Sequence, residues 1–238
     1  MSMPLFMGHF YPHTNALVWG FIFLRCDVIY NSDGMDARTE AFLKERIFPD
    51  LERGRPAWDA PHTEAVVFYA REIARAERGT LDEDVFLIVA YAHDWGYADL
   101  FESGKYVGND DIKKVKKLHA RISGEKISIL LKNNVFDYLT SEQKERICHL
   151  VLMHDRLDEL KDRDEFFFME ADTLGQLDIS RSLPTFNADD NERYLKKVEK
   201  ERLPRFLTSY GKKKAEELFR RRRAFYENKS RGERVSEG

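Results

Sequence analysis

Six side chains with metal-binding chemistry sit at telling places in this chain: His62, His93, Asp94, His119, His154 and Asp172. His62 lines up with Ala65, Val66, Tyr69 and Ile73 at the offsets that share one face of a helix. His93 follows Phe86, Val89 and Ala90 on its own face, His119 lines up with Val115 and Ile122, and His154 with Ile147, Leu150 and Val151. Asp172 is flanked by Phe168, Met169 and Ile179 at helical spacing. A lone histidine on an apolar face is usually a core residue with one hydrogen bond. A lone inward aspartate is costly without a partner or a metal. Several such residues converging from different helices are explained together by one shared metal site. Imidazole and carboxylate donors suit Mn, Fe, Co, Ni or Zn. His149 lies about 140° around the helix from His154, from 3.6 residues per turn, and is expected to be exposed and without a role. His9 and His13 are given none.

Helical periodicity dominates the chain that carries these residues. Helices are expected over Ala37–Leu51 with Asp36 as cap, His62–Ala76, Leu81–His93 opened by Asp82 or Asp84, and Asp111–Lys132. Others are expected over Ser141–Asp155 and Asp164–Ile179, with two charged helices over Asn191–Arg202 and Lys212–Glu227. The third is apolar on every side and should be central. Pro56 and Pro61 bound an expected loop, and residues 95–110 form another. No strand pattern, repeat or low-complexity tract is found, so the expected class is all-α.

The order His62, then His93-Asp94, then Asp172 resembles the HD-domain superfamily of metal-dependent phosphohydrolases. DAPHTEAVVFYAREIA resembles the family's first-histidine helix, and HDWG resembles its HDIG form. LHARISGEKISILL resembles the extra-histidine segment of two-metal members, and MEADTLGQLD the final-aspartate helix. The resemblance covers about Trp58 to Ile179. It implies a helical bundle in which His62, His93, Asp94 and Asp172 hold a first ion. In two-metal members Asp94 would bridge to a second ion on His119 and His154, so one or two ions are implied. It also implies hydrolysis of a small phosphate ester, with a nucleotide the expected substrate, by attack of metal-activated water that Asp94 orients or deprotonates.

The chain departs from the pattern in three places. Tyr97 stands where many HDIG sequences carry a phosphate-contacting lysine. No GYP-type motif comes after His154-Asp155, which argues against a cyclic-di-GMP phosphodiesterase. No Glu-Asp pair comes closely after the HD pair, which argues against an alarmone hydrolase. A di-iron oxygenase on the same fold and a non-catalytic metal- or nucleotide-binding module are the rival readings.

Charge for an anionic substrate is sought in Lys113, Lys114, Lys116 and Lys117 before His119, with Lys116 the best placed. Arg156 and Arg181 are weaker candidates. Trp95, Tyr97 and Tyr106 could stack on a base, though packing is the plainer reading. Arg220–Arg223 form a basic run on what reads as a solvated helix with one apolar side. A net charge of −3 argues against a general nucleic-acid binder. Cys26 and Cys148 make no disulfide framework, so the reducing cytoplasm is the expected compartment. Ala16–Tyr30 is too short and too interrupted by Arg25 and Asp27 to span a membrane. Residues 1–34 hold three charged side chains, a far lower density than in the rest of the chain. They are expected to be a weakly ordered extension or to precede an alternative start at Met35. The expected layout is this extension, an HD domain over 35–183, and C-terminal helices over 184–238.

Overall fold

The structure, a computed structural model, describes residues 35–102 and 104–236. The expectations for residues 1–34 lie outside the described residues. Among the described residues there are eight α-helices and no strand, and no helix is long and apolar enough to cross a membrane.

Helix α1 (Ala37–Leu51) begins where the carboxylate of Asp36 accepts the backbone N–H of Thr39, and buries Leu43, Ile47 and Leu51 four residues apart. Helix α2 (Asp59–Ala76) starts three residues before the expected His62. Pro61, read from sequence as a loop residue, sits in the helix's first turn. A missing N–H costs nothing there, because the first N–H groups of a helix have no intrahelical partner. Helix α3 (Glu83–Ala92) opens on Asp82, which accepts the N–H of Val85. Its residues Val85 to Ala92 are all buried, and it packs against α1, α2, α5 and α6 as the central helix.

After α3 the expected loop opens with a buried 3-10 turn over Trp95–Tyr97. Helix α4 (Asn109–Leu130) comes next, and the N–H of Gly108 before it donates to Asp111. Thr140 and Gln143 form a reciprocal cap for α5 (Ser141–Met153). Helix α6 (Arg163–Leu177) runs against α2.

Two glycines set the approach of helices that carry candidate ligands. A Cβ on Gly96 would lie 2.0 Å from the carbonyl oxygen of His119, so the turn after Asp94 meets the α4 backbone directly. The N–H of Gly96 donates to Ser123 Oγ at 2.7 Å across that contact. A Cβ on Gly175 would lie 2.7 Å from the side chain and 3.0 Å from the backbone nitrogen of Val66, which draws α6 onto α2.

The C-terminal region differs most from its sequence reading. Where one helix is expected over Asn191–Arg202, α7 (Ala188–Lys197) passes into a π-helical turn, Val198–Arg202. That turn lies just before Pro204, whose missing N–H and bulky ring oppose regular α geometry. Helix α8 (Ser209–Ser236) is longer than the expected Lys212–Glu227 and packs along α2, α6 and α7.

Candidate metal centre

His62 reaches the centre from α2, His93 and Asp94 from the end of α3, and His119 from α4. His154 comes from the end of α5 and Asp172 from α6. All six are buried, and they form two adjacent groups. In the first, His62 Nε2 lies 3.3 Å from His93 Nε2 and 3.2 Å from Asp172 Oδ1, and His93 Nε2 is 3.9 Å from the same oxygen. In the second, His119 Nε2 lies 3.3 Å from His154 Nε2.

Asp94 joins the two groups. Its Oδ2 lies 3.7 Å from His62 Nε2 and 3.5 Å from His93 Nε2. Its Oδ1 lies 3.4 Å from His119 Nε2 and 3.5 Å from His154 Nε2. Each group thus shares one oxygen of the same carboxylate. Ligand atoms about 2.1 Å from a common ion stand roughly 3.0–3.4 Å apart, so the spacing suits one ion per group.

The tautomers point the same way. His93 Nδ1–H donates to the Ala90 carbonyl at 3.0 Å, and His154 Nδ1–H to the Val151 carbonyl at 2.7 Å. Each therefore presents a bare Nε2 to the centre when neutral, the arrangement that metal-binding histidines use. His62 and His119 are held differently. His62 stacks on Trp58 with ring centres 5.5 Å apart, and His119 on Tyr97 at 3.9 Å. The Nδ1 atoms of both are buried without a hydrogen-bond partner.

Cations brace the carboxylates. Arg55 Nη2 donates to Asp94 Oδ2 at 2.7 Å, while the same guanidinium binds Asp59 and lies 4.3 Å from the centre of the Tyr97 ring. Arg202 Nη1, from the π-helical turn, donates to Asp172 Oδ2 and to Thr173 Oγ1, both at 2.8 Å. Arg202 Nη2 also lies 3.5 Å from Asp155 Oδ1, and Lys116 Nζ 2.9 Å from that oxygen.

Burial alone would raise the carboxyls, but the neighbouring charges win. Asp94 is held well below the usual carboxylate range by His93, His119, His154 and Arg55, and Asp172 below it by Arg202 and His62. Asp155 is brought down to about 2 against its own burial, chiefly by His154 and Lys116. The two anchored histidines diverge. Burial takes His93 down to about 4, whereas at His154 Asp155 and Asp94 overcome burial and lift it to about 9.

A cavity of about 400 Å³ opens onto the centre, reaching Asp94, His154, Asp155 and Asp172. Arg55, Lys113, Lys116, Lys197, Arg202 and Arg222 line it. Trp58, Phe186 and Tyr194 supply aromatic wall.

Of the other residues singled out in the sequence, Lys116 lines the cavity and Lys113 does so while paired with Asp110. Lys114 pairs with Asp111, and neither it nor Lys117 lines the cavity. Arg156 pairs with Glu159, and Arg181 lies over the Phe68 ring. Trp95 Nε1 donates to Asp50 and Tyr106 Oη to Asp190, so both serve packing. His149 is exposed, yet it pairs with Glu165 at 2.6 Å rather than standing idle.

The basic run on α8 is not wholly a solvated face. Arg222 is buried, donates to Asn191 Oδ1 at 2.7 Å and to the Gln176 carbonyl, and lies over the Tyr194 ring. Sequence reasoning missed Arg55, Arg202 and Arg222 as cavity residues, because an arginine in a loop or on a charged helix carries no periodic signal. It also passed over Asp155, although a second His-Asp pair closing an apolar helix was there to see.

Residues 60–200, more than half of the chain, match the family model for the HD domain, and the chain belongs to that family. No curated protein and no solved structure matches it.

Proposed function

We propose that this HD-domain chain is a divalent-metal-dependent phosphohydrolase that cleaves a small phosphate ester, with a nucleotide the first class to test. One observation carries the reading: Asp94 turns one oxygen to each of two histidine pairs at the floor of a cavity lined by basic side chains. In this reading His62, His93, Asp94 and Asp172 hold one ion, and Asp94, His119 and His154 the other. When bound, the ions supply Lewis acidity toward a phosphoryl oxygen and lower the pKa of a water from about 16 toward 7.

The chain's own residues do the rest. Asp94, fixed by Arg55 at 2.7 Å and held ionised, orients the attacking water. Arg55 and Arg202 approach the centre from opposite flanks of the chain and turn guanidinium N–H groups toward phosphoryl oxygens. Lys116 adds a charge beside the second histidine pair. The Trp58 and Phe186 rings offer apolar faces to a base, which is what favours a nucleotide over a smaller ester.

The test is to strip the protein with chelator, reload it with Mn, Fe, Co, Ni or Zn separately, and assay phosphate release from a panel of nucleoside phosphates. Release that returns only with metal supports the proposal. The same donor set suits paired iron. Oxygen consumption by the iron-loaded protein, without phosphate release, would replace the hydrolase with an oxygenase. Neither activity in a metal-loaded protein would leave a binding module.

A further inference from the structure

We infer that Asp155 is a ligand of the second ion, so that each half of the centre offers two imidazoles and two carboxylates and the chain holds two ions. The inference rests on the metal reading above and deepens it.

The fold presents the same local device twice. Helix α3 ends on His93 and helix α5 on His154, each as the C-terminal cap residue, with Nδ1–H on the carbonyl three residues back. In each case the next residue is an aspartate turned toward imidazole Nε2 atoms. Asp155 Oδ2 lies 3.5 Å from His119 Nε2 and 3.6 Å from His154 Nε2. Asp94 Oδ1 lies 3.4 and 3.5 Å from the same two atoms. Asp155 therefore stands to the second histidine pair much as Asp94 does.

The allotment of its oxygens agrees. Lys116 and Arg202 both approach Oδ1, at 2.9 and 3.5 Å. Oδ2 is left to the imidazoles. His154 spends its Nδ1–H on Val151, so its neutral form turns a lone pair toward a carboxylate oxygen. Two acceptors facing each other in a buried site call for a cation or a proton between them. Asp155 also lines the cavity, so an ion it holds would face a ligand there.

The experiment counts ions. Wild-type protein and Asp155→Asn are loaded with zinc, freed of excess, and measured by elemental mass spectrometry. The wild type should carry two ions per chain, and Asp155→Asn one, with affinity for the second lowered by more than the roughly 10- to 100-fold typical of a residue that only supports a ligand. Lys116→Met, which removes the ion-pair partner and keeps the carboxylate, should retain both. Two ions held with unchanged affinity in Asp155→Asn would overturn the inference. So would loss of the second ion from both variants alike, because the effect would then belong to the ion pair. A wild type that holds one ion and takes up no second overturns the inference while sparing the first site; one that takes up none overturns the metal reading as well. Should Asp155→Asn fail to fold, a cobalt titration of stripped wild type decides. Two equivalents binding within about a hundredfold of each other support the ligand, and a weaker second site refutes it.

Discussion

The two halves of the centre are built alike and placed differently. Each has one histidine pinned by its Nδ1–H to a backbone carbonyl and one held by stacking on an aromatic ring. The histidines of the first half lie deep. His62 and His93 are buried and do not line the cavity, which this half reaches through Asp172, and the helices that bring His62 and Asp172 together meet at Gly175. The second half reaches the cavity through His154 and Asp155, while its His119 is buried off the lining. The difference lies in what each half shows the cavity: carboxylate alone from the first, an imidazole as well from the second. His93 and His154, anchored identically, are pushed in opposite directions: at His93 burial, helped by His62 and His154, outweighs Asp94 and Asp172, whereas at His154 the adjoining Asp155 joins Asp94 and outweighs burial.

The comparison can be broken first at the residue both halves share. Asp94→Ala should lose both ions and bring phosphate release to background, a larger loss than the roughly 10- to 100-fold expected of an outer support. Metal content and activity measured on the same preparation check this; a variant that still binds two ions and turns over would remove Asp94 from the centre.

Arg202→Met should come next. It strips the buried Asp172 of its guanidinium, and breaking a buried pair on one side costs about 3–5 kcal/mol. The stripped protein should therefore melt earlier, and metal should recover part of the loss by giving Asp172 another positive partner. Calorimetry with and without zinc measures both effects, and a melting temperature indifferent to the substitution would contradict the bracing role.

A pH series sharpens the contrast between the anchored histidines. His93 is depressed from 6.5 to about 4, so the unfolded chain takes up that proton first as pH falls. Its contribution is intact above about 6.5 and declines toward 4. His154 is raised to about 9, so its contribution is full below about 6.5 and lost as pH rises through 9. From these two groups the stripped protein should be most stable near pH 6.5. With metal on Nε2 in place of the proton, the alkaline decline should vanish. Melting curves from about pH 4 to 10 on both forms test this, and an alkaline arm that persists with metal would deny His154 its role as a ligand.

The smallest effect is expected at His149→Ala. That histidine belongs to neither half and is itself exposed, and its partner Glu165, though buried, keeps the backbone N–H groups of Lys161 and Asp162, so the loss should be about 1 kcal/mol. Metal content should not change.

The sequence was legible wherever the physics leaves a period. Helices α1 to α6 could be read because their apolar residues recur every three or four positions or, in α3, run unbroken. The six candidate ligands could be picked out because each lies on or ends such a face. The start of α2 was misread because Pro61 looks like a break, although the first turn of a helix tolerates it. The widening of the chain before Pro204 was hidden because a π turn has the same composition as the helix it interrupts. Asp155 was absorbed into the expected end of the fifth helix, Ser141–Asp155, whereas α5 stops at Met153 and frees it to turn inward. Arg55, Arg202 and Arg222 act from a loop, a π turn and a charged helix, and only tertiary packing brings them to one cavity.

Those three arginines share one further property. The family match runs from residue 60 to 200, and all three lie beyond its ends. A fragment trimmed to the matched segment would keep all six candidate ligands and Asp155, yet lose the guanidinium groups beside Asp94 and Asp172. Its centre would be richer in negative charge: hospitable to cations, inhospitable to an anionic ester. In the proposed reading, the flanks of this chain would act as a counter-charge graft that converts a metal-binding core into a receptor for anions. Grafts of different composition on the same core would admit different guests.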